Sequence, residues 1–297
     1  MECVPFETAQ GESFPDRTEW DATAADLVAT MLERWHLTAG EPFVGGATAA
    51  VLRVTRADGS PAVLKVGYPH LEAIWEAVGL EAAGGLSPTV YAQDAWTWSL
   101  LLEEVRPGTP LARAGLPVDE ALAAGGELLA ALHARPVPAG IPSLAEAMAG
   151  YAAQAADRMP GLGPALAGLG AHDLVERAVA DLLELAGSSP DTALLHGDFN
   201  PGNILFDAGG GRSWRVVDPK PMHGDPAFDV WPLATQLGIH LESQLAAAAR
   251  AAGVDADRAA RWSFARTGVN VTWYLAAGEL DAAAAEAAAL RRWAALL

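Results

Sequence analysis

The chain has 297 residues, of which 51% are hydrophobic and 19% are charged, so it can bury a large core and is not a disordered segment. Its 19 lysines and arginines stand against 37 acidic residues, which gives a formal net charge of −18. This charge argues against a nucleic-acid binder, which needs a basic surface for the phosphates, and weakly favours a cationic small-molecule partner.

The chain begins with a helical pattern followed by a hairpin pattern. Residues 21–36 carry apolar side chains at helical spacing and predict a helix, with Asp21 as a candidate N-cap. Segments 41–56 and 61–66 are rich in Val, Leu and Thr, and residues 57–60 (ADGS) between them are typical of a hairpin turn.

A second helix is predicted over 71–83, and extended segments follow at 88–92 and 97–105. The order of helix, hairpin, helix and two strands predicts a small antiparallel sheet with one packed helix.

Beyond residue 107 the chain becomes rich in alanine and leucine. Helical patterns cover 118–133, 143–156, 171–187 and most of the chain from 227 onwards. They are interrupted at 194–218, where short apolar runs flank a loop dense in Gly, Pro, Asn and Asp. This change in composition and pattern predicts two domains, a mostly β domain at 1–105 and a mostly helical domain at 106–297.

The single cysteine, Cys3, excludes internal disulfides, so folding needs no oxidising compartment. The first residues lack the basic and apolar regions of a signal peptide, and no alanine-rich stretch reaches the roughly 18 uninterrupted apolar residues of a membrane span. We therefore expect a cytoplasmic, monomeric protein that binds neither membranes nor nucleic acids.

The segment LLHGDFNPGNILF at 194–206 is the most informative part of the sequence. Its polar loop lies between two apolar runs that can anchor it. Asp198 and Asn203 have the spacing of the aspartate and asparagine in the kinase pattern H-R-D-L-x-x-x-N. Phosphoryl transfer from ATP needs a carboxylate that takes the proton of the acceptor hydroxyl and oxygen ligands for Mg²⁺, roles that suit Asp198 and Asn203 respectively.

A second carboxylate, Asp218, follows the apolar run at 214–217. We expect 214–217 to pair with 204–206 across the glycines at 209–211, which places Asp218 at the end of a strand. This is the position of the kinase D-F-G aspartate, a second metal ligand.

HGDFNPGNILF (196–206) together with WRVVDPKPMHGDPAFDVW (214–231) resembles the aminoglycoside phosphotransferases, in particular their streptomycin 6-kinase and hydroxyurea kinase branch. The resemblance runs from about residue 45 to residue 273. It implies an α+β, bilobal protein-kinase-like fold, with a small antiparallel β-sheet N-lobe that binds nucleotide and a mostly helical C-lobe that carries the catalytic loop.

Further positions match this family. Lys65 ends the strand pattern AVLK, which resembles the V-A-I-K strand whose lysine holds the α and β phosphates. Its glutamate partner is expected on the following helix, where Glu72 and Glu76 lie one turn apart, and the sequence does not choose between them.

Three other segments take roles from the resemblance. The run GGATAA at 45–50 has the position of a phosphate-covering loop, although it does not fit G-x-G-x-x-G and suits a plain hairpin turn nearly as well. Glu103 and Val105 lie in a stretch that resembles the hinge whose main chain binds adenine. Asp229 resembles the helix-start aspartate that holds the catalytic loop through backbone N–H groups, and His196 is expected to brace the same loop.

The acceptor pocket of this fold is built from C-terminal helices. Its candidate residues are Asp225, Trp231, Trp262, Asn270, Trp273 and Glu279.

Together these observations predict an ATP- and Mg²⁺-dependent kinase that phosphorylates the 6-hydroxyl of streptomycin, a cationic aminoglycoside, and so gives antibiotic resistance. Two alternatives stay open: a kinase for hydroxyurea or another small hydroxylated metabolite, and a nucleotide-binding pseudokinase.

Overall fold

The computed structural model describes residues 2–7, 14–43, 48–190, 192–209, 213–237 and 241–297. The chain forms two compact units: the first is Met1–Gly115 with Gly202–Pro221, and the second is Leu116–Pro201 with Met222–Leu297. The first boundary therefore falls after residue 115 rather than after 105. The segment 202–221 belongs to the first unit because one of its strands pairs with residues 107–110.

The first unit contains the expected antiparallel sheet. Its strands are β1 (Thr38–Pro42), β2 (Ala49–Thr55), β3 (Pro61–Gly67), β4 (Val90–Asp94) and β5 (Ser99–Glu103), in the order β1-β2-β3-β5-β4. The predicted hairpin is confirmed, since Val54 pairs with Ala62 and Thr55 with Pro61. The segment expected as one strand over 41–56 is divided between β1 and β2.

Helices cover both faces of this sheet, rather than one helix as expected. Helix α1 (Arg17–Arg34) packs Met31 against Leu64 and Leu101 on one face. Helix α2 (Glu76–Ala83), preceded by a 3₁₀ turn at Leu71–Ala73, packs against Leu100 and Leu102 on the other. The alternation of side chains along a strand explains this division of consecutive leucines.

The start of α1 corrects the capping prediction. Asp16, not Asp21, is the N-cap, because its carboxylate accepts a hydrogen bond from the Thr18 N–H at 2.8 Å. Asp21 lies inside the helix and pairs with Arg17 at 2.9 Å. The polar first turn hides the earlier start, since apolar periodicity begins only after it.

A second, three-stranded sheet completes the first unit. Its strands are β6 (Pro107–Pro110), β8 (Ile204–Asp207) and β9 (Ser213–Val216), in the order β6-β8-β9. Ile204 pairs with Val216 and Phe206 with Trp214, which confirms the predicted pairing of these two segments.

The second unit is mostly helical, as predicted. Its helices are α3 (Val118–His133), α4 (Leu144–Gly168), α5 (His172–Gly187), α6 (Val230–Thr235), α7 (Leu241–Ala252), α8 (Ala256–Ala277) and α9 (Leu280–Ala294). Strands β7 (Ala193–Leu195) and β10 (Met222–Gly224) pair in antiparallel fashion, and a 3₁₀ helix covers Pro226–Asp229. None of the described helices is both long enough and apolar enough to span a membrane.

Helix α4 is longer than predicted. It continues to Gly168 through Pro160 and Pro164, each of which removes a backbone donor. Leu166, near its end, is fully buried, and packing of α4 against α5 offsets this loss. Local sequence rules do not include that packing.

Candidate active site

Lys65, on β3, is the centre of a charge cluster in the first unit. Its Nζ lies 2.6 Å from Glu76 Oε1 and 2.6 Å from Asp218 Oδ1. The side chains of Lys65 and Glu76 are 12% and 4% exposed, whereas that of Asp218 is 44% exposed. The cluster therefore consists of a buried lysine, a buried glutamate and an aspartate whose carboxylate is accessible to solvent.

The register of β3 explains why Lys65 meets Glu76. Leu64 and Val66 point into the core beneath α1. Lys65, between them, points to the opposite face, where α2 begins with Glu76. Lys65 can therefore pair with Glu76, because α2 packs on the face of the sheet to which Lys65 points.

The two candidate partners of Lys65 separate because the expected helix over 71–83 is broken. Residues 71–73 form a 3₁₀ turn and α2 starts only at Glu76. Glu72 therefore does not share a helical face with Glu76 and instead pairs with Lys220 at 3.2 Å. The structure pairs Lys65 with Glu76.

Burial and charge act in opposite directions on this cluster. Burial alone would lower the pKa of Lys65, but the charges and hydrogen bonds of Glu76 and Asp218 raise it above its usual value. Burial, aided by the charge of Asp218 and opposed by that of Lys65, raises the pKa of Glu76 to about 6. Lys65 is thus held as a cation, and Glu76 titrates closer to neutrality than an ordinary glutamate.

Gly79 allows α2 to approach the segment that follows Asp218. A Cβ at this position would lie 2.8 Å from Pro221 Cγ and 3.2 Å from Pro219 Cγ. Because Gly79 lies one turn after Glu76 on α2, its small size lets both carboxylates reach Lys65. Nothing in the local sequence points to Gly79, since a glycine inside a helix carries no signal of such an approach.

The strands β8 and β9 position Asn203 and Asp218 at the same end of one hairpin. The Val217 N–H donates to the Asn203 carbonyl at 2.9 Å, which closes that end. Asp218 has a φ of +58°, a conformation rare for residues other than glycine. Strained backbone of this kind is found more often at functional positions.

Arg215 ties this hairpin to the large sheet. Its Nε donates to Asp207 Oδ2 at 3.0 Å and its Nη1 to the Ser87 carbonyl at 2.9 Å, and its guanidinium lies 3.9 Å from Glu103. The side chain is 15% exposed. These contacts, all within the first unit, hold the hairpin against the end of β5 and against the segment that precedes β4.

The predicted adenine-binding segment follows β5. The Glu103 N–H donates to the Thr89 carbonyl at 2.8 Å, whereas the Val105 N–H has no acceptor among the described residues. Glu104, between these two residues, forms ion pairs with Arg53 at 3.0 Å and with Arg106 at 2.6 Å. Because Glu104 lies between Glu103 and Val105, these ion pairs hold the predicted adenine-binding segment in place.

The other predicted nucleotide-binding segment is only partly described, since residues 45–47 of the glycine-containing loop at 45–50 lie outside the described residues. Ala49 and Ala50 belong to β2, and the Thr48 carbonyl accepts a hydrogen bond from the Tyr68 N–H at 2.7 Å.

The loop with Asp198 belongs to the second unit, where Asp229 holds it. The carboxylate of Asp229 accepts the His196 N–H at 2.7 Å and the Gly197 N–H at 2.9 Å. Gly197 has a φ of +80°, which suits a glycine and turns the chain just before Asp198. The backbone contact expected for Asp229 is therefore present.

Two histidines complete this arrangement. His133, at the end of α3, has its Nε2 3.2 Å from Asp229 Oδ2, and His196 Nδ1 accepts the Asp198 N–H at 3.3 Å. Asp229 is fully buried. Burial alone would raise the pKa of Asp229, but the hydrogen bond with the His133 side chain and the other interactions with His133 and His196 hold it below the usual value. His133 was missed because it lies 96 residues from its partner.

Asn200 contacts Asp198 directly. Its Nδ2 donates to Asp198 Oδ1 at 3.0 Å, and its backbone N–H donates to the Asp198 carbonyl at 2.8 Å. The side chain of Asp198 is thus oriented by a residue of the same loop, which the family motif had not identified as functional.

Two of the six candidate acceptor residues are buried, and the other four are at least partly exposed. Asp225 and Trp262 are buried, with exposures of 2% and 0%, and the Trp262 Nε1–H donates to Asp225 at 2.7 Å. These two are therefore part of the framework. Glu279 is exposed at the residue before α9.

The remaining candidates lie on or beside α8. The Arg266 guanidinium lies 4.7 Å from the ring centre of Trp231. Trp273 is 49% exposed, with Arg158 5.3 Å from its ring centre. Asn270 hydrogen-bonds Glu286, whose pKa burial raises.

Two solved structures illustrate the fold that this chain shares. A choline/ethanolamine kinase family protein from Mesorhizobium loti matches 92% of this chain and 94% of its own with a TM-score of 0.66 and 21% identity. The GDP complex of wild-type aminoglycoside 2'-phosphotransferase-IIIa matches 92% of this chain and 98% of its own with a TM-score of 0.62 and 15% identity. The expected kinase-like fold is confirmed.

A model of the aminoglycoside/hydroxyurea antibiotic resistance kinase family matches residues 34–278, and the chain belongs to this family. A hydroxyurea phosphotransferase from Kitasatospora aureofaciens is 35% identical over 263 residues, 85% of this chain and 74% of the relative. A streptomycin 6-kinase from Streptomyces glaucescens is 30% identical over 294 residues, 94% of this chain and 93% of the relative.

Proposed function

We propose that this protein transfers the γ-phosphoryl group of ATP to a hydroxyl of a small molecule, and that streptomycin, at its 6-hydroxyl, is the acceptor. The observation that carries the reaction type is the pairing of Lys65 with Glu76 and Asp218 in a chain of this kinase family. A lysine held as a cation beside an exposed carboxylate suits the binding of an anionic nucleotide with a metal ion.

The nucleotide is held by residues of the first unit. Lys65 donates to the phosphates, and Glu76 holds its ammonium in place for this contact. The Val105 N–H, which has no acceptor among the described residues, donates to adenine. The Glu103 N–H is already bonded to the Thr89 carbonyl, so Glu103 takes part through its own carbonyl, which accepts a hydrogen bond from adenine. Both residues then act through the main chain.

Asn203 and Asp218 are the proposed ligands of Mg²⁺. An amide oxygen and a carboxylate are the hard oxygen donors that this ion prefers, and Asp218 is 44% exposed, so the residues fit the ion. When bound, Mg²⁺ neutralises charge on the phosphate oxygens. The hydrogen bond between Val217 and Asn203 keeps the two ligands at one end of their hairpin.

Asp198 is the proposed general base. Its carboxylate accepts the proton of the acceptor hydroxyl as the hydroxyl oxygen forms its bond to the γ-phosphorus, and the bond to the β-γ bridging oxygen breaks to release ADP. Asn200 orients the carboxylate through the 3.0 Å hydrogen bond to Oδ1.

Two observations support streptomycin as acceptor. The streptomycin 6-kinase from Streptomyces glaucescens matches this chain over nearly the full length of both proteins. The net charge of −18 favours approach of a guanidinium-bearing substrate.

Hydroxyurea is the second candidate, and a local observation favours it. Both Trp231 and Trp273, which we expect in the acceptor pocket, carry an arginine over the ring. These arginines would repel a cationic substrate but not a neutral one. The hydroxyurea phosphotransferase relative has the higher identity of the two, 35%.

The test incubates the protein with ATP, Mg²⁺ and each acceptor in turn, with ADP release and the mass of the acceptor as readouts. We expect streptomycin to gain one phosphoryl group. Phosphorylation of hydroxyurea alone would replace streptomycin by the second candidate. Binding of ATP without transfer to any of a panel of hydroxylated acceptors would contradict the kinase proposal and favour a pseudokinase.

A further inference from the structure

A buried carboxylate that the proposed reaction does not use lies close in sequence to Asp229. Asp225 is 2% exposed and accepts hydrogen bonds from three groups of the second unit. These are the Ala227 N–H at 3.0 Å, the Trp262 Nε1–H at 2.7 Å and the Arg258 Nε–H. An ionised carboxylate is retained in such a place only when its charge and lone pairs are satisfied.

Arg258 extends this network to the end of α5. Its Nη2 donates to the Ser188 carbonyl at 3.2 Å and lies 3.4 Å from that of Leu185. The first turn of α8 is fixed in turn by Asp255, whose carboxylate accepts the Arg258 N–H at 2.7 Å. One ion pair therefore joins the end of α5 and the beginning of α8 to Asp225.

Asp225 fixes the short helix that ends at Asp229. As the N-cap of Pro226–Asp229, it sets the direction in which this helix starts. The residue before it, Gly224, pairs with Ala193 on β7, the strand that leads into the loop. Asp229 then holds the loop by the His196 and Gly197 N–H groups.

We propose that Asp225, paired with Arg258 and Trp262, is a positioning residue for the catalytic loop. It acts through the 226–229 helix and Asp229, and it touches neither nucleotide nor acceptor. This inference rests on the proposed function, since the positioned group is the carboxylate of Asp198. A displacement of about 1 Å at a reacting group can cost roughly a hundredfold in rate, so a small rotation of this helix would be visible in turnover.

A purely structural role for the pair is the competing explanation, and the chain offers a matched control. Arg261 also lies on α8 and also reaches α5, where it pairs with Glu184 at 3.1 Å and Asp181 at 3.7 Å. Arg261→Met removes an arginine between the same two helices without removing a partner of Asp225.

The experiment compares Asp225→Asn, Arg258→Met, Arg258→Lys and Trp262→Phe with Arg261→Met. We expect kcat to fall roughly tenfold to hundredfold in Asp225→Asn and Arg258→Met, with partial recovery in Arg258→Lys and a smaller loss in Trp262→Phe. KM for ATP should stay within about twofold of the wild-type value, because Lys65 and Glu76 lie outside the network. Arg261→Met should keep wild-type kcat.

Amide hydrogen exchange at His196 and Gly197, measured without substrates, gives a readout that does not depend on activity. We expect faster exchange at these two amides in Asp225→Asn and Arg258→Met, and unchanged exchange in Arg261→Met. If Asp225→Asn fails to fold, Arg258→Lys carries the same comparison.

Two results would overturn the inference: unchanged exchange at both amides, or losses of kcat that match those of Arg261→Met at equal thermal stability. A wild-type protein that phosphorylates no acceptor would contradict the proposed function instead. In that case the exchange measurement still decides whether Asp225 positions the loop.

Discussion

The two units hold their functional groups by different means. In the first unit, Lys65 is placed by side-chain charges, with a carboxylate 2.6 Å away on each of two segments. In the second unit, the loop before Asp198 is placed by its backbone, through two N–H groups bonded to the buried Asp229. One region depends on the balance of side-chain charges and the other on backbone hydrogen bonds to a buried carboxylate.

This difference matches the tasks we assign to the two regions. Phosphates and a metal ion bring large charges, and a lysine between two carboxylates can exchange partners when they arrive. A general base has to be held at one place and in one orientation, which backbone hydrogen bonds to a buried carboxylate achieve. We therefore expect changes in the first unit to alter nucleotide binding and changes in the second to alter turnover.

The largest effect is expected from Asp198→Ala. Removal of the base should lower kcat by about 10³-fold or more, while the dissociation constant for ATP stays near the wild-type value, because Lys65 and its partners are intact. ADP release and ATP titration measure the two quantities. Near-normal turnover would contradict the assignment of Asp198, and a large loss of ATP binding would contradict the division of tasks.

A smaller effect, on KM for ATP rather than on kcat, is expected from Gly79→Ala. Alanine is the better helix former by about 1 kcal/mol, but the overlap with Pro219 and Pro221 costs about 1–3 kcal/mol and moves Glu76 and Asp218 apart. KM for ATP should rise about tenfold, with kcat at saturating ATP changed less.

Gly85→Ala is the matched control for Gly79→Ala, because a Cβ at Gly85 meets nothing within 4 Å. Equal effects of the two substitutions on KM would show that the close approach at Gly79 is not what sets nucleotide binding.

The pH response should distinguish the regions further. The pKa of Glu76 is raised from 4.5 to about 6, so the folded state binds this proton more tightly than the unfolded chain, and the stability contributed by Glu76 falls as pH rises from 4.5 to 6. Asp229 has the opposite sign: its lowered pKa gives a contribution present above 3.8 and lost as pH falls through the folded value.

In kinetics, protonation of Glu76 weakens its pairing with Lys65, so KM for ATP should rise by about a few-fold as pH falls below about 6. The Glu76→Gln variant should lack this rise. A KM profile that is flat between pH 5 and 7 in the wild type would contradict the assigned role of Glu76.

The smallest effect is expected from Glu72→Gln. Glu72 and Lys220 are 40% and 33% exposed, and such surface pairs contribute about 0–1 kcal/mol. KM for ATP and thermal stability should stay close to wild type, in contrast to Glu76→Gln. Equal losses in both variants would mean that the two glutamates share the task.

Much of the local structure follows from the sequence because short-range patterns suffice for it. The helix over 118–133 and the hairpin pairing of 204–206 with 214–217 are confirmed in position. The predicted end of α4 was wrong because packing decides where this helix ends. The predicted start of α1 was wrong because the first turn of this helix is polar. His133 and Arg215 escaped prediction because each acts through partners distant in sequence.

The sequence by itself determined which chemistry-bearing residues lie together on one short segment, since the spacing of Asp198, Asn203 and Asp218 is a property of consecutive residues. Only the tertiary structure decided between residues that the local sequence presents as equally good partners. Glu76 rather than Glu72 meets Lys65 because a 3₁₀ turn replaces the first turn of the expected helix, and Asp225 belongs to the framework because α8 buries it. Such choices depend on which surfaces pack, and packing sums contributions from residues far apart in the chain.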